Sequence, residues 1–197
     1  MGSTRALLFV AGLAATLCLA GAGAAASPWP ALERPLHLPR LPVGAGCPVS
    51  PPAHFAFSRY GVSRGIGPGP AYPIGIGQPG SRLAWVRPAA NNAFVGSAWG
   101  GEKVLWFVAP GYRGPVLIRG GRLDAPGQVR FGQAVTPAAE LRVAAGEVNG
   151  IPPGIALVGQ RYLPSVTRLE APGCYAYQID GTSFSRVIVF RAVAVPG

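Results

Sequence analysis

The sequence predicts an all-β protein built as an antiparallel sandwich or barrel. Of its 197 residues, 29 are Gly and 22 are Pro, and both residue types are unfavourable inside helices. Hydrophobic residues make up 49% of the chain and charged residues 12%, which favours a packed core over disorder. After residue 80, short β-prone runs alternate with turn residues at the spacing of an antiparallel sandwich or barrel.

The first 26 residues predict a secretory signal peptide. A short basic segment precedes an apolar run over residues 6–20, and the run of small residues ends in a cleavage site before Ser27. The alternative is an uncleaved membrane anchor formed by residues 6–26, a stretch long enough to span a bilayer. Cleavage makes the protein secreted or extracytoplasmic, whereas the uncleaved segment keeps it on a membrane.

Residues 27–80 predict an extended arm rich in Pro and Gly. These two residue types account for 21 of its 54 residues, and runs such as Gly65–Pro70 resist both helix and central strand. The chain therefore divides into a signal peptide over 1–26, an arm over 27–80 and a β-domain over 81–197.

Nine β-prone runs follow one another in the β-domain. The run Val104–Val108 is apolar at every position, which predicts a central strand covered on both faces. A short helix starting at Thr136 is an alternative within this region, and residues 144–164 predict a long irregular connection. The runs are Leu83–Arg87, Ala93–Trp99, Lys103–Ala109, Val116–Arg119, Gln128–Phe131, Glu140–Val143, Ser165–Glu170, Cys174–Asp180 and Phe184–Val193.

Removal of the leader leaves two cysteines, Cys47 and Cys174. Two cysteines in an exported chain predict one intramolecular disulfide, and two separate buried thiols are the alternative. The bond would close most of the mature chain into one loop, which corresponds to about 4–5 kcal/mol of stabilisation.

Residues suited to catalysis or metal binding are scarce. Gly61–Gly65 matches G-x-S-x-G, but neither a following helix nor a downstream histidine accompanies it. Gly75–Gly80 matches G-x-G-x-x-G without the helix that phosphate binding requires. The two histidines, His37 and His54, are isolated, which argues against copper and zinc. We therefore predict no catalytic residue, no metal site and no cofactor, and a hydrolase is the least favoured interpretation.

Positive charge is the main signal for a partner. The net charge is +10 at pH 7, which favours contact with polyanions. A solvated surface with no ligand, with arginine supplied by codon usage, is the alternative. An exposed aromatic platform formed by Trp99 and Tyr112 is a second candidate site, against the alternative that both pack in the core. The candidate polyanion-binding residues are Arg113, Arg119, Arg122 and Arg130, which lie within eighteen residues.

The C-terminal region carries a resemblance to known proteins. A Pro-Gly corner inside Leu169–Gly181 leads into an aromatic strand, and the Val-rich run Ser185–Phe190 follows. With Cys47–Val49 and Leu117–Asp124, these segments resemble a group of uncharacterised secreted or surface bacterial proteins with an immunoglobulin-like β-sandwich domain. The resemblance covers Cys47 and residues 80–193. It implies an antiparallel immunoglobulin-like sandwich in which an early Cys-Pro pairs with a late Gly-Cys. The aromatic residue after that late cysteine is Tyr175 rather than Trp.

These observations together predict an exported, non-catalytic β-protein of the cell envelope or the extracellular space. The alternative is a binding module for an anionic envelope polymer or for an envelope protein. Nucleic acid is not an expected partner, and a membrane is one only if the leader stays uncleaved. The resemblance has no catalytic pattern to transfer, because shared fold does not define function.

Overall fold

The computed structural model of the protein describes Gly2 and residues 26–42, 44–76 and 82–195. The predicted signal peptide lies outside these residues, apart from Gly2 and Ala26. Within the described ranges, no helix has the length and apolar character needed to cross a bilayer.

Strands carry almost all of the regular structure in the described residues, which confirms the all-β prediction. Helical structure there consists of the turn α1, Trp29–Leu32, and a 3₁₀ turn, Phe57–Tyr60. The strands are β1 (Ala71–Ile74), β2 (Arg82–Val86), β3 (Gly100–Val108), β4 (Val116–Arg122), β5 (Arg130–Phe131), β6 (Leu141–Val143), β7 (Arg161–Leu169), β8 (Gly173–Gly181) and β9 (Phe184–Val195).

The strands form one mixed sheet that curls into a nearly closed barrel. Their order is β5-β7-β3-β2-β9-β8-β4-β6, with β1 also paired to β3. The β2–β9 pair is parallel and the other pairs are antiparallel. The segment around β5 links the two sides, because the Val129 N–H donates to the Gly120 carbonyl at 3.2 Å and Arg130 pairs with Arg168 of β7.

The antiparallel sandwich is not confirmed, because β9 lies between β8 and β2 and joins them in a single sheet. Hydrophobic patterns indicate where strands lie but carry little information about which edges pair. The parallel pairing aligns Arg82 to Val86 with Arg191 to Val195, whereas β2 and β3 have one register pair, Val86 with Gly101.

The predicted strand Ala93–Trp99 is wrong, since this segment forms consecutive turns. The side chain of Asn92 explains them: its Oδ1 accepts hydrogen bonds from the N–H groups of Phe94 at 3.0 Å and Ala89 at 3.3 Å. Such local side-chain bonds stabilise turns against extended structure. The alternative helix at Thr136 is absent as well.

The prediction that Val104–Val108 is central and covered on both faces is confirmed. Val104, Trp106 and Val108 belong to the barrel interior. Phe107 faces outwards and packs in a second cluster. Alternation of side chains along a strand explains why one run fills two apolar clusters.

The segment predicted as an arm lies against the barrel and contributes β1 to the sheet. Leu32 is buried, and Leu38 packs on a cluster of β8 and β9 residues. Further along, Phe55 packs within 5.6 Å of Phe107 and 5.5 Å of Tyr72, measured between ring centroids. The sheet therefore begins before residue 81, within the Pro/Gly-rich region.

The Cys47–Cys174 disulfide is confirmed, with the two Cα atoms 5.5 Å apart and a sequence separation of 127 residues. The alternative of two separate thiols is therefore wrong. The bond attaches the N-terminal segment to the start of β8. This covalent link lies beside the apolar cluster of Ala176 and Val189.

Candidate functional site

Two of the predicted polyanion-binding arginines are already paired with carboxylates. Arg119 Nη2 donates to Asp180 Oδ2 at 2.9 Å, and Arg122 Nε donates to Asp124 Oδ1 at 2.7 Å. Both arginines belong to β4, and residues three apart on a strand project to opposite faces. Their closeness in sequence therefore does not place them on one surface.

The other two arginines lie elsewhere. Arg130 is in β5, and its guanidinium lies 5.5 Å from the centroid of the Trp99 ring. Arg113 is exposed in the loop after β3, where its Nη2 donates to the Val158 carbonyl at 3.4 Å. Each of the four arginines thus has its own contacts within the protein, and no two of them share a partner or line one described pocket.

Trp99 and Tyr112 do not form one platform either. Trp99 immediately precedes β3 and Tyr112 follows its other end, and nine strand residues extend over about 27 Å. The Tyr112 ring packs on Phe184, with centroids 5.0 Å apart. Its hydroxyl donates to the Pro115 carbonyl and accepts from the Thr182 N–H, both at 2.8 Å. Tyr112 therefore fastens two loops at one end of the barrel.

Replacement of Tyr112 by Phe removes both hydrogen bonds and keeps the ring. We expect the free energy of unfolding to fall by about 1–2 kcal/mol. Urea denaturation followed by circular dichroism measures the change. An unchanged midpoint would show that water replaces both contacts at no cost.

The carboxylates are largely engaged in contacts within the protein. Glu33 and Glu140 both contact Arg142, and Glu102 accepts a hydrogen bond from the Ala84 N–H. Burial raises the pKa of Glu102, and the bond from Ala84 opposes the rise. Glu147 likewise accepts from a backbone N–H, at 2.9 Å. Because the chain has seven Asp and Glu against 17 Lys and Arg, most of the exposed cations have no ion pair with a described carboxylate.

Asp180 has the most deeply buried carboxylate in the described part of the chain. It has no exposed surface and accepts hydrogen bonds from Arg119, from Gln178 at 3.0 Å and from Arg34 at 3.4 Å. Burial alone would raise the pKa of Asp180, but hydrogen bonds from Ser185, Gln178 and Arg119 outweigh burial and lower it. The same Arg34 donates to the Phe184 carbonyl at 2.6 Å, so this network attaches the N-terminal segment to β8 and β9.

Many exposed cations, by contrast, have no ion pair with any described carboxylate. Arg82 and Arg191 lie side by side as register partners of the parallel β2–β9 pair. Like charges placed opposite each other on a sheet are destabilising unless something else neutralises them. We call the whole set the unpaired surface cations: Arg40, Arg59, Arg64, Arg82, Arg87, Lys103, Arg113, Arg186 and Arg191.

Sequence clustering could not identify Arg82 and Arg191 as neighbours, since more than a hundred residues separate them. The strand register alone brings them together. From the sequence alone, one could infer only that each arginine faces outwards, because each alternates with apolar residues such as Leu83.

A groove of about 700 Å³ lies on the outer side of β3 and β7. Leu105, Pro164 and Val166 supply apolar surface to it, and Lys103 lies among its lining residues. No group of three or more His, Cys, Asp or Glu side chains in the described part of the chain is arranged to hold a metal ion.

The chain has no significant match among protein-family models, curated proteins or solved structures.

Proposed function

We propose that the protein is an exported, non-catalytic module that binds an anionic polymer outside the cytoplasm. The observation that carries this proposal is the imbalance between the unpaired surface cations and carboxylates that are engaged internally. The disulfide supports an oxidising compartment, because such bonds persist mainly outside the cytoplasm.

The resemblance noted for Cys47 and residues 80–193 is to secreted or surface proteins, which fits this role. It supports the compartment and not the sandwich, because the strands form one curled sheet. An anionic envelope polymer is the partner that the charge favours, and an envelope protein remains the alternative.

Binding of this kind depends on several separate cation contacts with the polymer. Each contact releases a condensed counterion, so affinity falls steeply as salt rises. Arg82 and Arg191 offer the strongest local contribution, because a polyanion that spans both would also relieve their mutual repulsion.

The test is retention on heparin and teichoic-acid columns over a salt gradient. The wild-type protein should bind at physiological salt, and Arg191→Gln should elute at lower salt. Arg142→Gln is the matched control, because it removes the same charge from a side chain already paired with Glu33 and Glu140.

If both variants eluted at the same reduced salt concentration, net charge alone would explain retention. This result would contradict a role for the unpaired surface cations. Failure of the folded wild-type protein to bind either column at physiological salt would overturn the proposal. Retention of an envelope protein that is insensitive to salt would instead favour the protein partner.

A further inference from the structure

A small cavity lies beside the start of β7, next to the loop that follows β3. Its volume is about 210 Å³, and Arg113, Gln160 and Arg161 line it. Gly146, Leu157 and Gly159 form further parts of its wall. Two cations thus meet at one cavity, and no carboxylate is among its described lining residues.

Arg161 is buried without an ion pair to a described carboxylate. Its exposed fraction is 3%, and no described carboxylate lies within 4.0 Å of its guanidinium. Nη1 donates to the Ala144 carbonyl and Nη2 to the Gly114 carbonyl, both at 2.7 Å, while Nε has no hydrogen-bond partner. Burial of a cation among neutral groups is costly unless an anion compensates it.

Burial lowers the pKa of Arg161. Tyr112 and Glu147 oppose this effect, and the charge of Arg113 adds to it. The carboxylate of Glu147 accepts from the Ala144 N–H at 2.9 Å and from Asn149 Nδ2 at 3.2 Å. It has no contact within 4.0 Å with the Arg161 guanidinium, so its charge acts on Arg161 at a distance and forms no ion pair with it.

Arg113 reaches the cavity from the exposed side. Gly159 has a φ of +101°, and a Cβ there would overlap the Arg113 guanidinium. Only glycine adopts this backbone conformation at little cost and also leaves room for the arginine. Gln160 holds the neighbouring loop, because its Nε2 donates to the Ala156 carbonyl at 2.7 Å and its Oε1 accepts from the Val158 N–H at 2.8 Å.

We propose that this cavity binds a single phosphate or sulfate group between Arg113 and Arg161. Guanidinium groups suit such oxyanions because their planar N–H donors match the geometry of the oxygens. The bound group is either a free anion or the terminal group of a larger molecule. The inference goes beyond polymer binding, since it depends on one cavity and one buried arginine.

Isothermal titration with sodium phosphate, with sodium sulfate and with sodium chloride at equal ionic strength tests the site. We expect phosphate and sulfate to bind, chloride to give no saturable signal, and Arg113→Gln to weaken the affinity about tenfold. The matched control is Arg122→Gln, which removes one charge that already pairs with Asp124, lies outside the unpaired surface cations and should leave the affinity unchanged.

A second variant leaves the charge of Arg113 in place and tests the position of its guanidinium. Gly159→Ala should also weaken phosphate binding, by no more than Arg113→Gln does, provided that circular dichroism shows a folded domain, because its Cβ occupies the space of the guanidinium. Titration with a monophosphate ester distinguishes the two sources: tighter binding than inorganic phosphate assigns the site to a terminal group, and equal or weaker binding assigns it to the free anion.

Equal binding heats for phosphate, sulfate and chloride would overturn the proposal. An unchanged phosphate affinity in Arg113→Gln would also overturn it. The polymer-binding proposal fails separately, in the comparison of Arg191→Gln with Arg142→Gln on the heparin column.

Discussion

Replacing Cys47 and Cys174 together by serine is expected to lower the free energy of unfolding by about 5 kcal/mol. The disulfide joins residues 127 positions apart, and a loop of this size restricts the unfolded chain far more than a short one. Without the bond, the N-terminal segment keeps only its non-covalent contacts with β8 and β9. Urea denaturation of the oxidised protein and of the double variant gives the difference.

Wild-type protein treated with a reductant is the control for this experiment. Its stability should match that of the double serine variant, because both lack the same constraint. A difference below about 1 kcal/mol between oxidised protein and variant would mean that the unfolded chain is already restricted by other contacts.

Asp180→Asn is expected to lower the free energy of unfolding by about 3–5 kcal/mol, because it removes a fully buried carboxylate from Arg119, whose side chain is only 17% exposed. Asparagine has nearly the same size as aspartate, so the fall in the free energy of unfolding reports on charge and hydrogen bonding. Differential scanning calorimetry near neutral pH should show a clear fall in melting temperature. Asp124→Asn is the matched control, since its partly exposed pair with Arg122 should contribute no more than about 1 kcal/mol.

The same carboxylate predicts a dependence of stability on acid. The folded-state pKa of Asp180 lies below its ordinary value of 3.8, so its stabilisation is fully present above about pH 4. That contribution is lost as the pH falls through the folded-state pKa. Wild-type protein should therefore lose more stability than Asp180→Asn between about pH 4 and pH 2. If both proteins lost the same stability over this pH range, Asp180 would not contribute to the destabilisation by acid.

The features that sequence predicted well were those with few alternatives. Once Cys18 was assigned to the predicted signal peptide, the two other cysteines permitted one intramolecular pair, and Cys47 and Cys174 form it. A run with apolar residues at every position, such as Val104–Val108, must be covered on both faces if it is a strand. Both predictions follow from local residue chemistry and needed no knowledge of strand pairing.

The features that sequence missed depend on contacts between distant segments. β1 contains Pro73 and lies in a Pro/Gly-rich region, yet it pairs with β3. The Ala93–Trp99 run has β-prone residues, but the side chain of Asn92 turns the chain there. The proposed sites follow the same rule, since Arg82 meets Arg191 only through the β2–β9 register.

The parallel β2–β9 pair also determines when the barrel can be completed during folding. β2 aligns five residues with β9 but only Val86 with β3, so most of its backbone pairing forms only when β9 is in place. β9 is the last strand of the described chain to be synthesised, and the polypeptide before it leaves open edges on both β2 and β8. Pairing over such sequence distances is slow, and apolar strands with open edges associate readily with other chains. A nascent protein of this topology therefore has its period of greatest aggregation risk just before its final strand emerges.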